Sequence, residues 1–244
     1  MNTNNISRED RTLFYLNGLA KINLAQDQLY SLLLKKCSDM LVGDLPKPFE
    51  LVTKYDGTKD LRPSATSYAP ELVDYFIQSG LADKLNMLTC QRLVLSHIQM
   101  RVALPGKTSY MDWHRDSHQF DRGSAIGNFP PVFKLIIYPR FEDNLSPTLL
   151  IKKGSNLLFH GKKWVDFVNA RMPWRTEKIF PSNEKAVFFN SFAMHKALSP
   201  RAGIGQVRII YTLSSEFQVD DNLDDKLKFK YIVKYNESKF NDSL

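Results

Sequence analysis

With 244 residues, 43% of them apolar and 12% aromatic, the chain is long enough to bury a substantial core. No apolar run reaches the roughly 18 residues that span a membrane, and two cysteines exclude a disulfide framework or a cysteine-built zinc site. The formal net charge of +7 is spread along the sequence without a long basic run, which argues for a basic surface and against a nucleic-acid footprint.

The pattern predicts a helix over 7–16, capped by Ser7, with Glu9 and Asp10 in its first turn and Asn17-Gly18 as the stop. A strand over 19–22 follows. Residues 25–41 read as an amphipathic helix with Leu29, Leu32, Leu33, Cys37 and Met40 at helical spacing. Residues 42–69, broken by Gly43, Pro46, Pro48, Gly57 and Pro63, are expected to be irregular. Helices are expected from Pro70 to Gly80 and over 81–87.

From Cys90 the character changes. Strands are expected over 92–103, 110–116, 133–138, 148–151, 185–190, 207–214 and 226–234, and residues 157–184 read as an insert carrying a helix over 162–170. Helices followed by a run of strands predict an α+β, mainly β fold: a jelly-roll, cupin-like barrel of antiparallel strands with N-terminal buttressing helices. The chain reads as one domain, helical over about 7–88 and jelly roll over about 90–235. With no signal-like N-terminus, a cytoplasmic protein is expected.

The chemistry centres on Met111-Asp112-Trp113-His114-Arg115-Asp116. On an extended strand His114 and Asp116 leave the same face. One imidazole and one carboxylate make two thirds of a 2-His-1-carboxylate triad for Fe(II), and His195 is the candidate for the third ligand. Such a triad leaves three positions open for a bidentate 2-oxo acid and O2. The far carboxylate of 2-oxoglutarate then needs a fixed cation, and Arg208, set in an apolar strand, suits that role. His97 reads as a core histidine. His118 is a rival ligand that a straight strand does not favour, and His160 reads as an exposed loop residue.

In order along the chain, Phe14 to Ile22, Leu104-Pro105-Gly106 leading to His114-Arg115-Asp116, Leu149 to Asn156, His195 to Pro200 and then Arg208 resemble the phytanoyl-CoA dioxygenase-like family of Fe(II)/2-oxoglutarate-dependent oxygenases. The resemblance runs from about Leu13 to Ser214. It implies a double-stranded β-helix core, Fe(II) on His114, Asp116 and His195, 2-oxoglutarate on Arg208, and O2 as oxidant. Asn156 stands where that family often carries His. Lys134 competes with Arg208 as the 2-oxoglutarate anchor, as in other branches of the superfamily, and Arg208 is favoured.

Gln99 and Lys107 are candidates to touch the co-substrate, and Trp113, Phe120, Arg171 and Trp174 to wall a substrate pocket. The expected function is hydroxylation of a small polar metabolite, such as an amino acid or natural-product intermediate, with release of succinate and CO2. Retention of Asp116 argues against a halogenase. The alternatives are the same chemistry on nucleic acid or protein, and a non-catalytic cupin-like sensor. The oligomeric state is not legible.

Overall fold

The structure is a computed structural model that describes residues 6–55, 57–106, 111–116, 132–141, 146–158, 163–201, 203 and 205–215, with backbone alone at 163–166 and 215. Helix α1 (Arg8–Asn17) begins in a capping box: the Ser7 side chain accepts from the Asp10 N–H while Asp10 accepts from the Ser7 N–H. Gly18, at φ 73°, ends it and turns the chain into β1 (Leu19–Asn23). Asp27 caps α2 (Gln28–Val42), which buries Tyr30, Leu33, Cys37 and Met40. Leu32, on the predicted apolar stripe, is instead 40% exposed. Helices α3 (Ala65–Tyr68), α4 (Glu71–Gln78) and α5 (Leu81–Thr89) complete the helical part.

Residues 42–69 are not simply irregular. They contain β2 (Glu50–Tyr55) and β3 (Thr58–Arg62), an antiparallel hairpin. Seven antiparallel strands then make one sheet in the order β1-β8-β5-β10-β4-β3-β2, using β4 (Leu93–Ala103), β5 (Val132–Ile137), β8 (Lys185–Asn190) and β10 (Gln206–Ser215). A smaller antiparallel sheet orders β7 (Thr176–Ile179), β6 (Leu149–Lys152) and β9 (His195–Ala197). Residues 176–179, expected within an insert, thus belong to the small sheet, and the insert's helix is α6 (Lys163–Arg171). The strand predicted over 226–234 lies outside the described residues.

Strand alternation sorts the core into two layers. Phe133, Leu135, Ile137, Phe188, Val207, Ile209 and Tyr211 face the helices and pack with Phe14, Leu33, Leu72 and Leu85. Their neighbours Ile136, Tyr138, Val187, Phe189 and Ile210 face the small sheet, packing with Leu149, Ile151 and Ala197. Two antiparallel sheets packed face to face, with helices outside the larger, form a jelly roll of the double-stranded β-helix type. The candidate site lies at this inner layer.

Candidate metal centre

The described part of the predicted 110–116 strand, residues 111–116, is not regular strand. Only His114 pairs, in an isolated antiparallel bridge to His195. The His114 N–H donates to the His195 carbonyl at 3.0 Å, and the His195 N–H returns a bond to His114 at 2.9 Å. Directly opposed residues project to the same face, so the two rings meet with centroids 4.3 Å apart. The Asp116 N–H donates to the Ser191 carbonyl at 3.1 Å, which turns its carboxylate toward them. Asp116 Oδ2 lies 3.3 Å from His195 Nε2, and Oδ1 lies 3.8 Å from His114 Nε2. One donor atom from each residue falls within 4.8 Å of the others.

The donor set suits a divalent metal. His114 Nδ1 sits 2.7 Å from the Asp112 carbonyl and His195 Nδ1 sits 2.9 Å from that of Ala193. A carbonyl only accepts, so each Nδ1 carries the proton and each Nε2 offers a lone pair inward. Burial, then the charge of His195, pulls the His114 pKa down to about 4, so its ring is neutral at pH 7. Burial pushes the Asp116 carboxyl upward, but Lys134, His195 and His114 outweigh it and hold the group well below the usual carboxylate range. A neutral His114 imidazole and an ionised Asp116 carboxylate are ligand states that suit Fe(II).

Arg115, between the two ligands, escaped the sequence reading. It is 1% exposed, and its guanidinium donates to the carbonyls of Ser155 (2.7 Å) and Phe192. Ser155 ties the same region from below: its Oγ donates to the Lys152 carbonyl at 2.6 Å and accepts from the Met194 N–H at 2.8 Å. The backbone leading into His195 is therefore clamped by Arg115 and Ser155. The available signal was strand-like alternation, which sends the residue between two outward ligands into the protein.

Lys134, on β5, places Nζ 2.7 Å from Asp116 Oδ2. Arg208, on β10, is 2% exposed on the same inner face, and its Nη2 donates to the carbonyls of Thr148 (3.5 Å) and Leu198. Burial, then the charge of Arg101, lowers the Arg208 pKa to about 9, which leaves it cationic at neutral pH. A bound carboxylate would offset both effects. Gln99 is half-buried, and His97, expected in the core, is exposed; both line a cavity beside β3 and α3.

The structure gives the other predicted pocket residues local partners. The Trp113 ring lies 4.7 Å from Lys152 Nζ, which also donates to the carbonyls of Ala170 in α6 (2.6 Å) and of Met172 just after it (3.1 Å). Arg171 folds back on its own helix, stacking on Phe167 and donating to its carbonyl at 3.0 Å. Trp174 packs near Gly154. Asn156 donates to the Tyr15 carbonyl at 3.2 Å, so here it joins the turn after β6 to α1. Lys107, Phe120, His118 and His160 lie outside the described residues.

No protein-family model and no curated protein matches the sequence. Solved structures do. AviO1 from Streptomyces viridochromogenes Tue57 aligns at a TM-score of 0.63 with 16% identity, covering 88% of this chain and 97% of that one. HygX from Streptomyces hygroscopicus, solved with nickel, 2-oxoglutarate and hygromycin B, aligns at 0.58 with 13% identity, covering 86% and 88%. SnoK, a non-haem α-ketoglutarate-dependent carbocyclase from nogalamycin biosynthesis, aligns at 0.63 with 12% identity, covering 86% and 85%. At these identities the likeness is one of fold, and it agrees with the jelly roll expected from the strand pattern.

Proposed function

We propose that the protein is an Fe(II)- and 2-oxoglutarate-dependent dioxygenase that hydroxylates a C–H bond of a small polar metabolite, releasing succinate and CO2. The observation that carries this is the convergence of His114 Nε2, His195 Nε2 and the Asp116 carboxylate on the inner face that also holds the buried Arg208. The fold shared with 2-oxoglutarate-dependent enzymes supports it. We read the chain as a single cytoplasmic domain acting on a free small molecule.

In this reading His114, Asp116 and His195 hold Fe(II), which with 2-oxoglutarate and O2 supplies the oxidising power that no side chain has. The chain's residues bind and orient. The Asp112 and Ala193 carbonyls fix the imidazoles through Nδ1. Lys134 engages one oxygen of Asp116 and so orients the carboxylate that would help hold the metal. Because Lys134 is so engaged, Arg208 is the better anchor for the remote carboxylate of 2-oxoglutarate. Phe189, Ile136 and Ile210 supply an apolar wall that limits water.

The test is anaerobic addition of Fe(II) and 2-oxoglutarate. The protein should develop the weak visible metal-to-ligand charge-transfer band and, in air, release succinate. His195→Ala should show neither. Absence of both from the wild-type protein would favour the sensor alternative.

A further inference from the structure

We infer that the cavity between β3, α3 and β4 receives an acidic group of the substrate, with Arg62 as its anchor; this rests on the oxygenase reading and names the substrate class for it. The cavity measures about 260 Å³ and is lined on its polar side by Asp60, Arg62, Ser64, Thr66, His97 and Gln99. That volume equals about nine waters at their liquid density of about 30 Å³ each. It has room for the acidic end of a small metabolite.

Strand register places this cavity on the same inner sheet face as Lys134, two to three strands away from it. His97 lies opposite Thr212, and Thr212 lies opposite Lys134, whose ammonium holds Asp116. Residues opposed in this way share a face. The His97 position is therefore two strand spacings, about 10 Å, from that of Lys134 on the inner face of the sheet. Gln99 follows on the same face, opposite Ile210.

Charge selects the ligand. Asp60 in the cavity wall is neutralised by Arg101, with Nε at 2.5 Å and Nη2 at 3.1 Å from its carboxylate oxygens. Lys134 is matched by Asp116, and Arg208 by the co-substrate. Among the described residues the Arg62 side chain makes no hydrogen bond or ion pair, even with Glu50 opposite it in the register. Among the described residues the Gln99 side-chain amide likewise makes none, which leaves both groups to a ligand. A carboxylate on Arg62, with the carbon to be oxidised reaching toward the metal across the sheet, satisfies the cavity. A neutral amide of the same shape does not, because it lacks the charge-assisted pair.

The experiment uses the protein loaded with Zn(II), as a redox-silent stand-in for iron, and saturating 2-oxoglutarate, which occupies the Arg208 site. A library of small carboxylic acids, each paired with its carboxamide, is screened by ligand-observed NMR. Acids should bind in preference to their amides, and the strongest should lose tenfold or more in affinity with Arg62→Gln but retain part of it with Arg62→Lys. Acids that bind no better than amides, or that bind Arg62→Gln unchanged, overturn the inference. Succinate release without substrate and the charge-transfer band, measured on the Fe(II) form of the wild-type protein, report on the oxygenase reading alone. A wild-type protein that gives neither readout sinks the oxygenase reading itself, whatever the acid-versus-amide comparison shows.

Discussion

Replacing Arg115 with Met should weaken both the fold and metal binding. The side chain is buried, and its guanidinium satisfies the carbonyls of Ser155 and Phe192. A hydrogen bond from a charged donor contributes about 1.5–3 kcal/mol, and two give about 3–6 kcal/mol. Removing a buried charge returns part of that, because desolvating the guanidinium opposed folding. A net loss near 3 kcal/mol in the metal-free protein is expected, read from urea denaturation with an unchanged slope. Loosening the 192–194 backbone also relaxes the approach to His195. If that costs about 1.4 kcal/mol of preorganisation, metal affinity falls about tenfold, measurable by anaerobic Co(II) titration. Arg115→Lys, which reaches fewer carbonyls, should fall between. A stability change under about 0.5 kcal/mol, typical of a surface site, together with wild-type Co(II) affinity would refute the clamp.

Three further outcomes are expected. Arg208→Met should weaken 2-oxoglutarate about a hundredfold, corresponding to about 3 kcal/mol for a lost bidentate pair, whereas Lys134→Met should mainly change metal affinity; isothermal titration separates the two, and the reverse result would exchange their roles. Gly18→Ala should cost about 2–3 kcal/mol, combining a left-handed residue's penalty of about 1–2 kcal/mol with a new Cβ that clashes with Asn156 Oδ1. In an Asn156→Ala background the cost should drop by about 1 kcal/mol, and a thermal-denaturation cycle without coupling would contradict the contact. A thiol reagent at neutral pH should label Cys90, which is exposed, and spare Cys37, which is buried with its thiol pushed strongly up by that burial, until the protein is unfolded.

Much of this architecture was legible because it rests on local signals. Ser7, Gly18 and Gly80 punctuate the helices, and the apolar runs ending at Ala103, Asn190 and Ser214 form the strands they suggest, the last extending to Ser215. The hairpin β2–β3 was missed because β2 is almost wholly exposed and shows no apolar alternation, so only the Asp56-Gly57 pair hinted at it. Strands β7 and β9, four and three residues long, are set by their pairing with β6 and not by propensity. The ligand trio was readable from residue type and order, although His114 and Asp116 converge through a single bridge and one bond to Ser191. Arg115, Ser155 and the cavity at Arg62 depend on contacts between distant segments, which no local pattern records.

The position of β10 bears on how the molecule comes into being. This strand lies between β4 and β5, bonded to both. During synthesis the ribosome therefore delivers two half-sheets before the strand that joins them. Until residues 206–215 emerge, β4 and β5 each expose an unpaired edge to solvent and to neighbouring chains. The barrel closes late, around its last described strand, and the nascent chain passes through an interval in which aggregation competes with closure.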